Sequence, residues 1–132
     1  MTTLFITYKR IEAIAVISPW IYITNENKEA LDFLNKRTPT GSGVILASYP
    51  LANYIPAYTH NRVYFGHNYQ TPNAAEKQAN IKRFYNGDFS DRQAKTFLRE
   101  NNILYVILEQ QKIKYAFLKK VFVNQTIAVY TY

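Results

Sequence analysis

Apolar positions recur at two different spacings along this chain, and the switches between them mark its elements. From about Asn25 to Arg37, Ala30, Leu31 and Leu34 fall on one helical stripe with Phe33 alongside. Thr24 stands where an N-cap belongs, and Glu26 and Glu29 sit near the positive end of that helix. Pro39 and the Gly41-Ser42-Gly43 turn stop it. The spacing then changes to a continuous apolar run, Val44 to Ser48, which suits a central strand covered on both faces.

A single helical turn around Leu51–Tyr54, ending before Pro56, is expected next, and then a strand from Arg62 to Gly66. Thr71-Pro72 reads as an N-cap followed by proline at the first helical position. The helix so opened carries Ala75, Ala79, Ile81 and Phe84 and closes at Asn86-Gly87. Ser90 with Gln93 forms a capping box for a further helix whose inner face is Ala94, Phe97 and Leu98. Ile103–Leu108 is a strand. A short amphipathic stretch around Lys112–Leu118 leads into a hairpin with arms Lys120–Val123 and Thr126–Tyr130, joined at Asn124-Gln125. Helix and strand therefore alternate for most of the length. The expected architecture is an α/β three-layer sandwich with a mostly parallel sheet and a C-terminal antiparallel hairpin.

Residues 1–23 do not fit that alternation. Ala13 to Ile17 is the longest uninterrupted apolar part, far short of the roughly 20 residues that span a bilayer. Lys9, Arg10 and Glu12 interrupt the rest, and Ser18-Pro19 breaks it. The segment reads as an apolar lead-in, a strand or a junction to another part. Residues 24–132 then form one α/β domain, in keeping with a length of 132 residues.

Composition adds two constraints. Twelve Tyr and eight Phe are many for this length, and tyrosine suits half-buried positions and the lips of ligand sites. The formal net charge of +7 suits an anionic partner. The basic residues are spread, however, in runs no longer than the pairs at Lys36-Arg37, Lys82-Arg83 and Lys119-Lys120, and no nucleic-acid motif holds them. They read mainly as solvated helix faces, so a basic nucleic-acid-binding module stays only as an alternative. With no cysteine, disulfides, thiolate metal sites and a cysteine nucleophile are excluded.

Most catalytic signatures are missing. Gly41-Ser42-Gly43 precedes a strand instead of following one, so it is no phosphate-cradling turn, and no Walker loop or nucleophile elbow occurs. His60 and His67 flank the Arg62–Gly66 strand and would lie about 20 Å apart if fully extended, too far for one metal ion. No catalytic residue, cofactor or metal ligand is therefore assigned. Asn124-Gln125-Thr126 matches a glycosylation acceptor in form, but within a tight turn.

One constellation does invite a ligand. A strand ending at Gly66 delivers His67 and Asn68 to its carboxyl rim, and Glu109 sits at the end of another strand, where α/β sheets place their sites. Two readings stay open. His67 either only orders the loop, or it lines a polar pocket with Asn68 and Glu109, walled by tyrosine rings and suited to a sugar or lipid-linked saccharide. A stand-alone small enzyme using His67 and Glu109 at this rim is the further alternative.

The block Leu51-Ala52-Asn53-Tyr54-Ile55-Pro56-Ala57-Tyr58-Thr59, then Arg62-Val63-Tyr64-Phe65-Gly66-His67, then Thr71, resembles a segment near the C-terminus of large polytopic bacterial membrane proteins. Those proteins are similar to the dolichyl-phosphate-mannose–protein mannosyltransferases and related multi-spanning (GT-C) glycosyltransferases. Phe84-Tyr85-Asn86-Gly87 and Ile103-Leu104-Tyr105-Val106 follow in the same order, so the resemblance covers about residues 20 to 132. It implies a domain on the extracytoplasmic side of a membrane, without the acidic catalytic residues of the multi-spanning part. Its partner would be the transmembrane portion of the same or a neighbouring protein. It carries over Asn53 and Arg62, with His67, as ligand-binding positions and Pro56, Gly66 and Thr71 as structural ones. The expected function is that of a non-catalytic accessory domain that positions saccharide or acceptor. Without spans of its own, the chain would be a fragment, a separately encoded domain or part of a longer protein.

Overall fold

The computed structural model describes residues 22–38, 42–109 and 114–132. The apolar lead-in falls almost wholly outside the described residues, as does the start of the stretch expected at 112–118. Helix α1 (Asn25–Arg37) is followed by β1 (Val44–Leu46), a 3-10 turn (Leu51–Asn53), α2 (Ile55–Thr59) and β2 (Arg62–Val63). Then come α3 (Ala74–Asn86), α4 (Asp91–Glu100), β3 (Ile103–Glu109), β4 (Lys119–Val123) and β5 (Ile127–Thr131).

The five strands form one sheet in the order β2-β1-β3-β5-β4. Its core is parallel: β1 pairs with β2 on one side and β3 on the other. The C-terminal strands are antiparallel, β5 against both β3 and β4. Residues alternate across this sheet with period two. Leu46, Val106, Leu108 and Tyr130 face Phe84, Phe97 and Leu98 of α3 and α4. Ile45, Ile107, Ile127 and Val129 face Ala30, Leu31 and Leu34 of α1 and Ile55 of α2. Two separate apolar clusters on opposite faces of one sheet are what makes the fold three-layered. Burying a leucine or isoleucine such as Leu31, Leu34 or Ile55, each 0% exposed, is worth about 1.5–3 kcal/mol.

The local rules that make the helices are visible at their ends. Thr24 caps α1, its hydroxyl accepting from the Asn27 amide at 3.2 Å. Ser90 and Gln93 exchange both bonds of the capping box on α4. Gly87 closes α3 at φ 74°, while the Asp88 amide reaches back to the Arg83 carbonyl at 2.9 Å. Both sheet edges are protected against pairing with other chains: β2 is two residues long, and β4 carries the exposed Lys119 and Lys120.

The helical turn expected around Leu51–Tyr54 is the 3-10 turn, but a further short helix follows it: α2 starts at Ile55 with Pro56 in its first turn, where the missing N–H costs nothing. Two expectations need correction. The strand expected over Arg62–Gly66 stops at Val63, after which only the Tyr64 amide still reaches the Ile45 carbonyl, at 3.1 Å. Thr71 does not cap the next helix, which begins at Ala74 behind Asn73. The Thr71 hydroxyl accepts from the Gly66 amide at 3.4 Å instead, closing the loop between β2 and α3.

Candidate functional site

Because β2 is so short, the chain turns away from the sheet at Tyr64 and runs through the 66–72 loop to α3. That detour encloses one side of a hollow of about 540 Å³. Arg62 and Val63 contribute from β2, Asn53 and Pro56 from the 3-10 turn and α2, and Gly66, His67 and Thr71 from the loop. Lys77 enters from the first turns of α3.

Each wall is held in place by identifiable contacts. His67 is half-buried, its Nδ1 accepting from the Tyr69 amide at 3.3 Å. The His67 carbonyl accepts from the amides of Gln70 and Thr71, at 3.2 and 2.9 Å. His67 therefore does order the loop, and the engagement of Nδ1 leaves Nε2 as the ring atom that can meet a ligand. Gly66 has little space around it. A Cβ there would come 3.3 Å from Val63 Cγ2 and 3.4 Å from Asn53 Oδ1. The absent side chain lets Asn53 stand against the loop backbone.

Beneath the hollow runs a relay of buried polar groups. The Asn61 Nδ2 donates to Thr38 Oγ1 at 2.5 Å and to the Thr59 carbonyl at 2.9 Å. Thr38 Oγ1 in turn donates to the Leu34 carbonyl at 2.6 Å. The relay ties the end of α1 to the end of α2 and the start of β2, and so fixes where Arg62 begins. Asn61 is 2% exposed and also borders the hollow, and its Oδ1 has no hydrogen-bond partner among the described residues.

The electrostatics are one-sided. Arg62, Lys77, His60 and His67 all line the hollow, and among the described residues no aspartate or glutamate does. The Lys77 ammonium sits 5.3 Å from the centre of the Tyr64 ring. Burial pushes the Tyr64 hydroxyl above its ordinary range, with Asn80 opposing the shift and Glu76 adding to it. Tyr64 thus presents a neutral ring and hydroxyl, not a phenolate.

The residues read from the sequence divide cleanly. Asn53, Arg62 and His67 come together in this hollow with Pro56, Gly66 and Thr71. Asn68 and Glu109 stand outside it. Glu109 does end β3 at the carboxyl edge, but its Oε1 accepts from the Ser48 hydroxyl at 3.2 Å. The wall of several tyrosines is reduced to Tyr64. His60 and His67, expected at opposite ends of an extended strand, border the same hollow because the strand is not extended between them. Among the described residues no group of three or more His, Cys, Asp or Glu could hold a metal ion.

Sequence reasoning missed Lys77, Asn61 and Gln70. Lys77 lies on a helix that follows the loop, and nothing in its immediate neighbours marks it as turned toward Arg62. Asn61 carried a weak signal, as a small polar residue just before a strand.

No protein-family model matches the sequence, and a comparison with curated proteins finds no match. Among solved structures the chain is similar to the C-terminal globular domain of an oligosaccharyltransferase from Archaeoglobus fulgidus. The TM-score is 0.65 at 12% identity, over 84% of this chain and 99% of that one. At that identity the likeness is one of fold. Among the described residues no helix is long and apolar enough to cross a membrane.

Proposed function

We infer that this chain is a non-catalytic accessory domain of a membrane glycosyltransferase-like protein, standing on the extracytoplasmic face and helping to position a saccharide or its acceptor. The observation that carries this reading is the hollow itself. It gathers Asn53 from the 3-10 turn, Arg62 from β2 and His67 from the following loop around a single space with amide, guanidinium and imidazole groups. Such groups beside the apolar surfaces of Pro56, Val63 and the Tyr64 ring suit a molecule with hydroxyls on its edge and C–H groups on its faces. The fold likeness to a domain of an oligosaccharyltransferase supports the same context.

Binding without chemistry follows from what surrounds His67. Among the described residues no carboxylate lines the hollow to orient or activate an imidazole, and the Nδ1 is already committed to the loop. A rim enzyme pairing His67 with Glu109 lacks support, since Glu109 is engaged with Ser48 outside the hollow. The partner in this reading is a membrane-embedded portion, carried by the same or a neighbouring protein, that holds the reacting groups.

The test is sugar transfer by membranes containing the domain together with that portion. Arg62→Ala and His67→Ala should each lower transfer while leaving the melting curve of the domain unchanged. Unaltered transfer in both variants, or turnover of a glycosyl donor by the 132-residue chain alone, would overturn the proposal.

A further inference from the structure

We propose that the hollow between β2, α2 and the 66–72 loop takes a phosphate ester of a hydroxylated group, with Arg62 and Lys77 holding the phosphate. This rests on the reading of the hollow as a ligand site and names the chemistry that site selects. Two permanent cations and two imidazoles border one space of about 540 Å³ in which, among the described residues, no acid offsets them. Elsewhere the basic residues have different company. The groove between α3 and α4 sets Arg83 and Arg92 against Glu76 and Glu100, so it carries no net preference for an anion. Arg92, Lys95 and Arg99 along one face of α4 border a second space of about 500 Å³, also without an acid among the described residues, but beside them stand only Thr96 and Tyr132, with no amide or imidazole to meet a hydroxylated group.

The number and kind of donors then discriminate among anions. A carboxylate has two oxygens and is satisfied by one guanidinium fork. Here the Arg62 fork is joined by the Lys77 ammonium, whose three donors act as a point charge, and by His67 Nε2. Donors lining one space from a strand, a helix and a loop suit an anion with three or more outward oxygens. The remaining groups ask for hydroxyls. Asn53 and Gln70 bring amides that both donate and accept, and the buried Asn61 Oδ1 is an acceptor without a donor. A phosphate attached to a polyol or sugar supplies both kinds of group at once. A terminal phosphate monoester borne by a lipid and a free sugar phosphate both present three such oxygens.

The experiment is an NMR titration of the full 132-residue chain, labelled with nitrogen-15. The probes are glucose 1-phosphate, glucose, inorganic phosphate, and vesicles of phosphatidylcholine with or without phosphatidic acid. Glucose 1-phosphate should shift the amide signals of Gly66, His67 and Thr71 saturably. Arg62→Gln and Lys77→Gln should each weaken that binding at least tenfold while keeping a dispersed spectrum. Arg92→Gln with Lys95→Gln should leave it unchanged. Phosphatidic acid vesicles acting on the same signals would support the proposal and point to a lipid-borne ester, whereas a response to the free ester alone would support it and point to a soluble one. Shifts centred on residues 92–99, or wild-type affinity in both Arg62 and Lys77 variants, would overturn it. If glucose binds as tightly as its phosphate, the phosphate assignment fails while the saccharide reading stands. If none of the probes moves the loop signals, both fall.

Discussion

The amide of Gly66 donates to the hydroxyl of Thr71, 3.4 Å away, across the loop that forms one lip of the hollow. A bond of that length in a half-buried place contributes little by itself, about 0.5 kcal/mol. Its geometric effect is larger, because it closes the loop that carries His67 at the border of the hollow. Thr71→Ala should therefore change the urea midpoint by less than the equivalent of about 1 kcal/mol, yet speed amide hydrogen exchange across residues 66–71. Thr71→Ser, which keeps the hydroxyl, should restore slow exchange. Identical exchange in all three proteins would show that the hydroxyl does not close the lip.

How much of this could be read beforehand depended on how far apart the interacting residues are. Helix α1 and helix α4 were legible because a cap and a buried stripe are local, and both lie within a few turns of each other in sequence. Strand β1 was legible because Ile45, Leu46 and Ala47 are all buried, as a doubly covered strand requires. The α/β alternation gave the layers. The loop after β2 was not legible, because Thr71-Pro72 has the local form of a helix start and only the approach of Gly66 takes the hydroxyl away. Glu109 was placed correctly at a strand end but assigned to the wrong neighbourhood, since its partner Ser48 comes from 61 positions earlier in the chain. Lys77 was invisible for the same reason: it borders the same hollow as Arg62 through a turn whose course no single residue announces.

Asn124 joins the last hairpin to the first helix. Its Oδ1 accepts from the amides of Thr126 and Ile127, at 3.2 and 2.9 Å, and shapes the turn. Its Nδ2 donates to the Glu26 carbonyl at 2.9 Å and to Glu29 Oε2 at 3.0 Å. Asn124→Ala should cost about 1–3 kcal/mol in urea unfolding, as it removes both sets together. Asn124→Asp keeps the acceptor that shapes the turn but loses the donors and sets a carboxylate against Glu29. It should preserve the β4–β5 cross-strand contacts by NMR and still loosen the start of α1 in hydrogen exchange. Equal protection of α1 in Asn124→Asp and the parent would show that the bridge to the helix contributes nothing.

His60 ends α2 in the left-handed region, at φ 55°. A side chain with a Cβ is strained there and glycine is not, although glycine also gains freedom when unfolded. The balance predicts that His60→Gly raises stability by about 0.5 kcal/mol, while His60→Val, branched at Cβ, lowers it by about 1–2 kcal/mol. Thermal unfolding at fixed pH reads both. A valine variant as stable as the glycine variant would rule out backbone strain as the cause. His60 also borders the hollow, so the glycine variant separates an imidazole's part in binding from its cost to the fold.

Tyr85 sets how the protein meets alkaline conditions. Its hydroxyl donates to the Ile107 carbonyl at 2.9 Å, and burial, helped by the nearby charge of Glu109, pushes its pKa well above the ordinary value of 10.0. The folded state therefore keeps this proton at pH values where the unfolded chain has released it. Stability linked to Tyr85 is fully present below about pH 10 and is lost as pH rises from there toward the folded-state value. While only the unfolded state ionises, the loss is about 1.4 kcal/mol for each pH unit. Burial is also the leading cause of the upward shifts at Tyr64 and Tyr115, so the parent's alkaline limb should be steep. Tyr85→Phe leaves the Ile107 carbonyl without this donor and should cost about 1 kcal/mol at neutral pH. Above about pH 10 its urea stability should fall less steeply than the parent's, by about 1.4 kcal/mol per unit, so the two curves converge. Parallel curves from neutral pH to about pH 12 would mean that Tyr85 ionises as easily folded as unfolded, contrary to a phenol whose end is sunk against the sheet.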